Sequence, residues 1–319
     1  MRRVLCKSLG INYNAELRVK VALWISDEAQ AIIEYGDINT WDTSNVTDMS
    51  SLFKDALTFN SNISNWDVSS VTTMDSMFRN AEAFNQNIGS WDVSSVTTMA
   101  FIFAQADAFN QPLTNWDVSK VTRMDSMFNG TPFNQPIDSW DVSLVLNMGN
   151  MFVNSDFNQP IGSWDISSVT WMGAMFFSNR VFNQPLNNWD VSNGPRMTSM
   201  FNGAWAFDQP LDNWDVSNIT KMGDMFENAI AFNQNINSWD VSNVTDMGDM
   251  FKGADLFNQP LSNWNVSNVT IMEDMFEDAI AMNQDLSSWV VSNVTDCGSF
   301  SDGATSWTLP KPNFTNCTP

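Results

Sequence analysis

Along most of the chain the apolar positions recur on a fixed beat. Tryptophan stands at 41, 66, 91, 116, 140, 164, 189, 214, 239, 264 and 289, eleven times, at a spacing of 25 with two steps of 24. Self-similarity at such a period marks a repeat architecture in which each copy is one small structural unit. A typical copy reads I-x-x-W-D-V-S-x-V-T-x-M-x-x-M-F-x-x-A-x-x-F-N-Q-P. Both short steps lose their residue at one point, between Phe128 and Phe133 and between Phe152 and Phe157. A deletion confined to one point predicts a surface turn there, because the rest of the unit must stay in register.

Each copy splits into two periods. In Ile63-x-x-Trp66-x-Val68-x-x-Val71 the Trp-x-Val core alternates, which predicts a strand. The same spacing fits the opening of a leucine-rich repeat. Val71, Met74, Met77, Phe78 and Ala81 then mark one face of a three-turn helix or a 3₁₀ segment, with Ser69 or Thr72 as its N-cap. Proline after Phe-Asn-Gln, as at Pro112, Pro136 and Pro160, ends that segment and turns the chain back. One such unit cannot bury its own apolar face, but a stack can. The expected fold is a leucine-rich-repeat-like solenoid: a parallel β-sheet on one face, short helices or 3₁₀ segments on the other, and Trp, Val, Met and Phe in internal ladders. An Asn column (Asn60, Asn85, Asn110 and onward, with Asp208 in the same place) is expected to satisfy turn backbone groups.

The ends depart from the pattern. Residues 1–40 read as an N-terminal helical cap, with the helix over 14–35. Leu17, Val21, Trp24 and Ile25 would form its apolar face, Ser26 an N-cap, and Gly36 the stop after Ala29, Ile32 and Ile33. The solenoid proper would run over 41–296. Residues 297–319 read as a degenerate last coil and C-terminal cap. Cys297 and Cys317 would either form a disulfide that ties down this tail or stand as two thiols, and Cys6 has no obvious partner.

Composition narrows the function. The chain has 319 residues and no histidine, which removes histidine triads, histidine metal ligands and a histidine general base. Its net charge of -22 disfavours nucleic acid. No run of 18 apolar residues is present, so no membrane span is expected. Asn-x-Ser/Thr triplets such as Asn45-Val46-Thr47 are by-products of the repeat, and the Met columns read as core filler.

The W-D-V-S-x-V-T-x-M-x-x-M-F motif followed by F-N-Q-P resembles the repeat of the BspA-like leucine-rich-repeat surface proteins, from Trp41 to about Trp307. Similar arrays occur in mycoplasma lipoproteins. The resemblance implies an extracellular or cell-surface protein that mediates adhesion or binds a protein or glycan, and no enzyme. No apolar secretion core follows the basic Met1-Arg2-Arg3 start, so the exported location rests on the resemblance.

Two features carry candidate chemistry. An acidic column follows the ladder Trp at Asp42, Asp67, Asp92, Asp117, Asp141, Asp165, Asp190, Asp215 and Asp240, and is broken by Asn265 and Val290. Outward carboxylates at about 4.8 Å spacing repel one another. Local hydrogen bonds from Ser, Thr or backbone N–H are the expected compensation. Calcium, as the one cofactor to consider, and a basic partner are the alternatives. A regular row of equivalent carboxylates offers no unique pair for glycoside hydrolysis. Trp171 and Trp205 stand outside the ladders, one at a helix position and one at a turn, and both are expected to be exposed as contact anchors. Two further readings stay open: a structural spacer or coat protein with no discrete site, and a calcium-stabilised module using the Asp column.

Overall fold

The structure, a computed structural model, describes residues 12–319. Cys6 lies outside them. The chain opens with α1 (Tyr13–Ser26), α2 (Glu28–Tyr35) and a 3₁₀ turn (Ile38–Thr40), and then winds into stacked coils.

The expected single helix over 14–35 is two helices, broken at Asp27. Ser26 is not the N-cap. It ends α1, and its hydroxyl donates back to the Ala22 carbonyl at 2.9 Å. Asp27 caps α2 by accepting from Gln30 N–H at 3.0 Å. Gly36 ends α2 in the left-handed region at φ 78. Leu17, Val21 and Trp24 are buried as the spacing predicts, whereas Ile25, Ile32 and Ile33 are exposed. The second axis that starts after Asp27 turns Ile32 and Ile33 away from the first coil.

The helices close the open end of the stack. Asn14 Oδ1 accepts from Thr47 N–H at 2.9 Å, a donor that in later coils bonds to the preceding coil. Trp24 donates its indole N–H to Ser61 at 3.1 Å and meets Trp41 edge-on. Arg18 reaches the Ser50 carbonyl at 2.6 Å. Edge groups that would template another chain are thereby engaged.

The core is continuous. The Trp, Val, Met and Phe columns are buried from Trp41 to Trp307. Phe78 stacks on Phe84 in its own coil at 3.9 Å and on Phe103 in the next at 5.7 Å, and this pairing recurs along the stack. Each ladder Trp from Trp66 onward donates its indole N–H to a carbonyl of the coil before, as Trp91 does to Ile63 at 3.3 Å and Trp116 to Ile88 at 3.1 Å. A buried indole N–H must find such a partner.

The secondary structure inside each coil differs from the sequence expectation in two ways. Among the described residues, no strand forms at Trp-x-Val. Those residues sit in turns closed by Trp66 N–H to Ile63 O at 3.1 Å and Val71 N–H to Val68 O at 2.9 Å. Parallel pairing is reduced to single bridges one residue before the first Met, such as Asp48–Thr73, Thr73–Thr98 and Thr98–Arg123. The Met-Phe segment is likewise neither α nor 3₁₀. In a helix Phe78 N–H would bond to the Met74 carbonyl; here it bonds to Ile102 of the next coil at 2.8 Å. Alternate amides (Met74, Ser76, Phe78, Asn80) all reach forward to the next coil, while Met77 N–H to Met74 O and Ala81 N–H to Phe78 O close turns within the coil. Ser76 and Asn80, third in those turns, are left-handed at φ 58, as a type II turn requires. The i, i+3, i+4 apolar spacing serves two linked turns as well as it serves a helix, and the neighbouring coil takes the amides. Thr72, expected as an N-cap, instead donates backbone and side chain to Thr47 O at 2.8 and 3.1 Å.

The Asn column runs as a side-chain ladder. Asn85 Oδ1 accepts from Asn110 N–H at 3.1 Å and from the Gln111 amide at 3.0 Å. Asp208 performs the same task for Asn233 and Gln234. At the far end Asn283 caps the backbone of Thr308 and Leu309. Cys297 and Cys317 are disulfide-bonded, with Cα atoms 5.9 Å apart.

Candidate binding face

The Asp column lies exposed, and its carboxylates are engaged locally. Asp67 Oδ1 accepts from Ser69 N–H at 3.1 Å and Ser69 Oγ at 2.6 Å. Backbone bonds of this kind recur at Asp92, Asp117, Asp141, Asp165, Asp190, Asp215 and Asp240. The serine hydrogen bonds hold Asp92, Asp117, Asp141, Asp190 and Asp240 below the ordinary aspartate pKa of 3.8. Asn265 bonds Ser267 N–H at 3.2 Å in the same way, and Val290 stands 58% exposed in its place. A neutral amide and a hydrocarbon thus both serve where the column breaks. Among the described residues, no group of three or more Asp, Glu, Cys or His is placed to hold a metal ion.

Trp171 and Trp205 lie off the Asp column, in two separate columns. Trp171, 44% exposed, belongs to the bridge column, paired with Asn147 on one side and Arg196 on the other, and not to a helix. Its indole lies over two glycines. A Cβ on Gly149 would come within 3.1 Å of the ring, and one on Gly173 within 2.7 Å of Nε1. Trp205, 42% exposed, has the Arg180 guanidinium over its ring at 4.0 Å. Among the described residues no hydrogen bond, ion pair or ring contact joins either tryptophan to the Asp column.

The bridge column is where the coils differ. Along it the residues run Arg123, Asn147, Trp171, Arg196, Lys221, Asp246 and Ile271. Hollows open beside it in the middle coils. One, of about 730 Å³, is lined by Arg180, Asn202, Trp205, Asp224 and Glu227 among others. A second, of about 500 Å³, lies at Gly194, Pro195, Arg196, Thr220, Lys221, Asp224 and Asp246. Burial raises the Asp224 pKa, helped by the charge of Asp249, and burial raises that of Glu227, helped by Asp224. Asn202 donates to Glu227, and Ser199 to Asp224 at 3.3 Å. Next to them Lys252 gathers Asp249 (3.4 Å), Asp274 (2.5 Å) and Glu277 (2.5 Å). Those hydrogen bonds, Asp274 first, raise the Lys252 pKa.

Sequence reasoning found the two tryptophans and missed their setting. Gly149, Gly173, Gly223 and Gly248 follow the first Met of their coils; Gly149 and Gly173 make room for Trp171, and Gly248 for Ile271. Gly194-Pro195 stands where most other coils carry Val-Thr. Both departures are visible in an alignment of the chain with itself.

The whole repeat region matches one family model, described as "Mycoplasma protein of unknown function, DUF285", over residues 25–132, 129–218 and 195–312. The chain belongs to the DUF285 family. This agrees with the BspA-like resemblance of its motif. No curated protein matches this DUF285 chain. Among solved structures it is similar to a leucine-rich repeat protein from Eubacterium ventriosum, at 12% identity and a TM-score of 0.27, over 74% of this chain and 81% of that one. No helix among the described residues is long and apolar enough to cross a membrane.

Proposed function

We propose that this DUF285 chain is a non-enzymatic, surface-exposed or secreted solenoid that binds a protein or glycan through the face carrying Trp171 and Trp205. One observation supports this most directly: in the middle coils the bridge column changes from basic Arg123 through Asn147 to aromatic Trp171, then to basic Arg196 and Lys221 and acidic Asp246, while the Asp-Ser and Asn-Gln columns repeat. Scaffold positions repeat because each coil must bond to the next. Exposed positions that break the repeat are free of that demand, and exposed tryptophan is the residue type that anchors contacts. The surface location rests on the BspA-like resemblance of the repeat motif, with which DUF285 membership is compatible.

The test is capture of ligands on a glycan array and from host-cell surface extracts, comparing the wild type with a Trp171→Ala/Trp205→Ala variant of matched thermal stability. Loss of capture in the variant is the expected result. Capture that ignores both tryptophans would remove this face from consideration. Concentration-dependent fibres or layers, with no capture at all, would favour the spacer reading.

A further inference from the structure

The ladder of backbone bonds at the bridge column is interrupted at one place among the described residues, between the coils of Gly194 and Ile219. Elsewhere the N–H of each first Met bonds to the bridge residue of the next coil, as Met172 does to Arg196 at 2.9 Å and Met222 to Asp246 at 2.9 Å; Met197 makes no such bond to Lys221. The neighbouring bond, Thr245 N–H to Thr220 O at 2.9 Å in its regular form, is also missing between Thr220 and Pro195. The Arg196–Lys221 bridge is absent as well.

The cause is Gly194-Pro195. Proline has no N–H, so Arg196 N–H takes over the bond to Thr170 O at 3.0 Å, one residue out of register. Gly194 is left-handed at φ 69, and a Cβ there would lie 2.7 Å from the Asn218 carbonyl oxygen. Gly194 thus packs against Asn218 of the next coil more closely than a side chain would permit, the backbones of Arg196 and Lys221 beside it do not pair, and the cleft of about 500 Å³ lies at that seam.

The cleft has a definite chemistry. The guanidinium of Arg196 is exposed and makes no hydrogen bond or ion pair with any described residue. Lys221 sits across the seam, only loosely paired with Asp246 at 3.9 Å. The amides of Met197 and Thr220 find no acceptor among the described residues, and Asp224 and Asp246 offer carboxylate acceptors on the far wall. Trp171, the backbone bridge partner of Arg196, stands one coil before the cleft, 44% exposed, with its ring over Gly149 and Gly173.

We propose that this cleft binds an acidic sugar residue, a hexuronate, within a glycan chain. The sugar carboxylate meets Arg196 and Lys221. Its hydroxyls donate to Asp224 and Asp246, and the apolar face of a neighbouring ring rests on Trp171. A simple anion would be repelled by the two aspartates; a neutral sugar would leave the guanidinium unused. The net charge of -22 opposes an anion at long range, but a screening length of about 8 Å at physiological salt leaves the decision to contacts. This inference rests on the binding reading above and names its ligand class.

The experiment is calorimetric titration of the full chain with a galacturonate tetramer, a neutral galactose tetramer and sulfate. The uronate is expected to bind, the other two at least about tenfold more weakly, and Arg196→Gln or Trp171→Ala to weaken the uronate by about tenfold or more. Gly194→Val/Pro195→Thr restores the regular coil; it is expected to abolish binding while raising Tm, which separates loss of the cleft from loss of the fold. Equal binding of sulfate, equal binding of the neutral tetramer, no uronate binding, or uronate binding that survives the Val-Thr variant each overturns the proposal. If uronate fails but array or extract capture still depends on Trp171 and Trp205, the ligand class is wrong and the binding face stands. If that capture also fails, the binding reading falls with it.

Discussion

The indole of Trp171 lies across the backbone of Gly173, two residues further along its own coil, so closely that a Cβ there would stand 2.7 Å from Nε1. The ring is seated by the absence of a side chain. Gly173→Ala is therefore expected to displace the ring with a stability change of under about 1 kcal/mol, since the indole is the movable partner. The Trp171 indole N–H peak in an NMR spectrum should shift while the buried ladder indoles stay in place. A shift spread over many ladder peaks would mean that the backbone gave way instead.

The seam at Gly194-Pro195 has a measurable stability. Restoring Val-Thr should return two backbone hydrogen bonds, each worth about 1 kcal/mol net. It should also return a buried Val, worth about 1.5 kcal/mol or more. Thermal or denaturant unfolding of Gly194→Val/Pro195→Thr should show a stabilised chain; a destabilised one would mean that the rerouted backbone is fixed by something other than these two residues.

The Asn ladder makes an asymmetric prediction. Asn158 Oδ1 accepts from Asn183 N–H and the Gln184 amide, both at 3.0 Å. Asn158→Ala leaves both donors without that acceptor and should cost about 1–3 kcal/mol. Asn158→Asp keeps the acceptor, as Asp208 does for Asn233 and Gln234, and should cost much less. Equal losses in denaturant melts would rule out the acceptor role.

Stability should depend on pH in two opposed ways. Asp224 and Glu227 have raised pKa values, so their folded forms favour the proton; the stability they contribute is present at low pH and is lost as pH rises through their folded pKa values. Asp92, Asp117, Asp141, Asp190 and Asp240 have lowered values, so their contribution is present above 3.8 and is lost as pH falls through their folded values. Melting temperature should rise on mild acidification from neutral pH and then fall below about the aspartate range. Asp224→Asn/Glu227→Gln should flatten the rise alone.

Calcium is the last test. Each column Asp already spends Oδ1 on its serine, so a melt in EDTA and one in millimolar calcium should coincide. A metal bound only to the folded state must raise its stability by mass action. A large upward shift with calcium would put the carboxylate column back among the binding sites.

What could be read from the sequence is argued best from single positions. Trp66, Val71, Met74 and Phe78 announced a buried repeat because apolar columns must lie inside whatever the backbone does. Asp67 could be given a serine partner because Ser69 is local. Ser76 and Asn80 carried a further signal that periodicity passed over: small polar residues and glycine fill those two columns in most coils, as left-handed backbone prefers.

The sequence by itself determined the copy number, the core columns, the exposed tryptophans and the polar ladders, because each depends on residue type recurring at a fixed step. Only the tertiary structure decided that the coil is built of turns and single bridges. Whether Phe78 N–H bonds back to Met74 or across to Ile102 depends on how closely the next coil approaches, and spacing within one coil is the same for both. The cleft was decided there too, since Gly194-Pro195 opens a seam only against a neighbour that the regular repeat would have bonded.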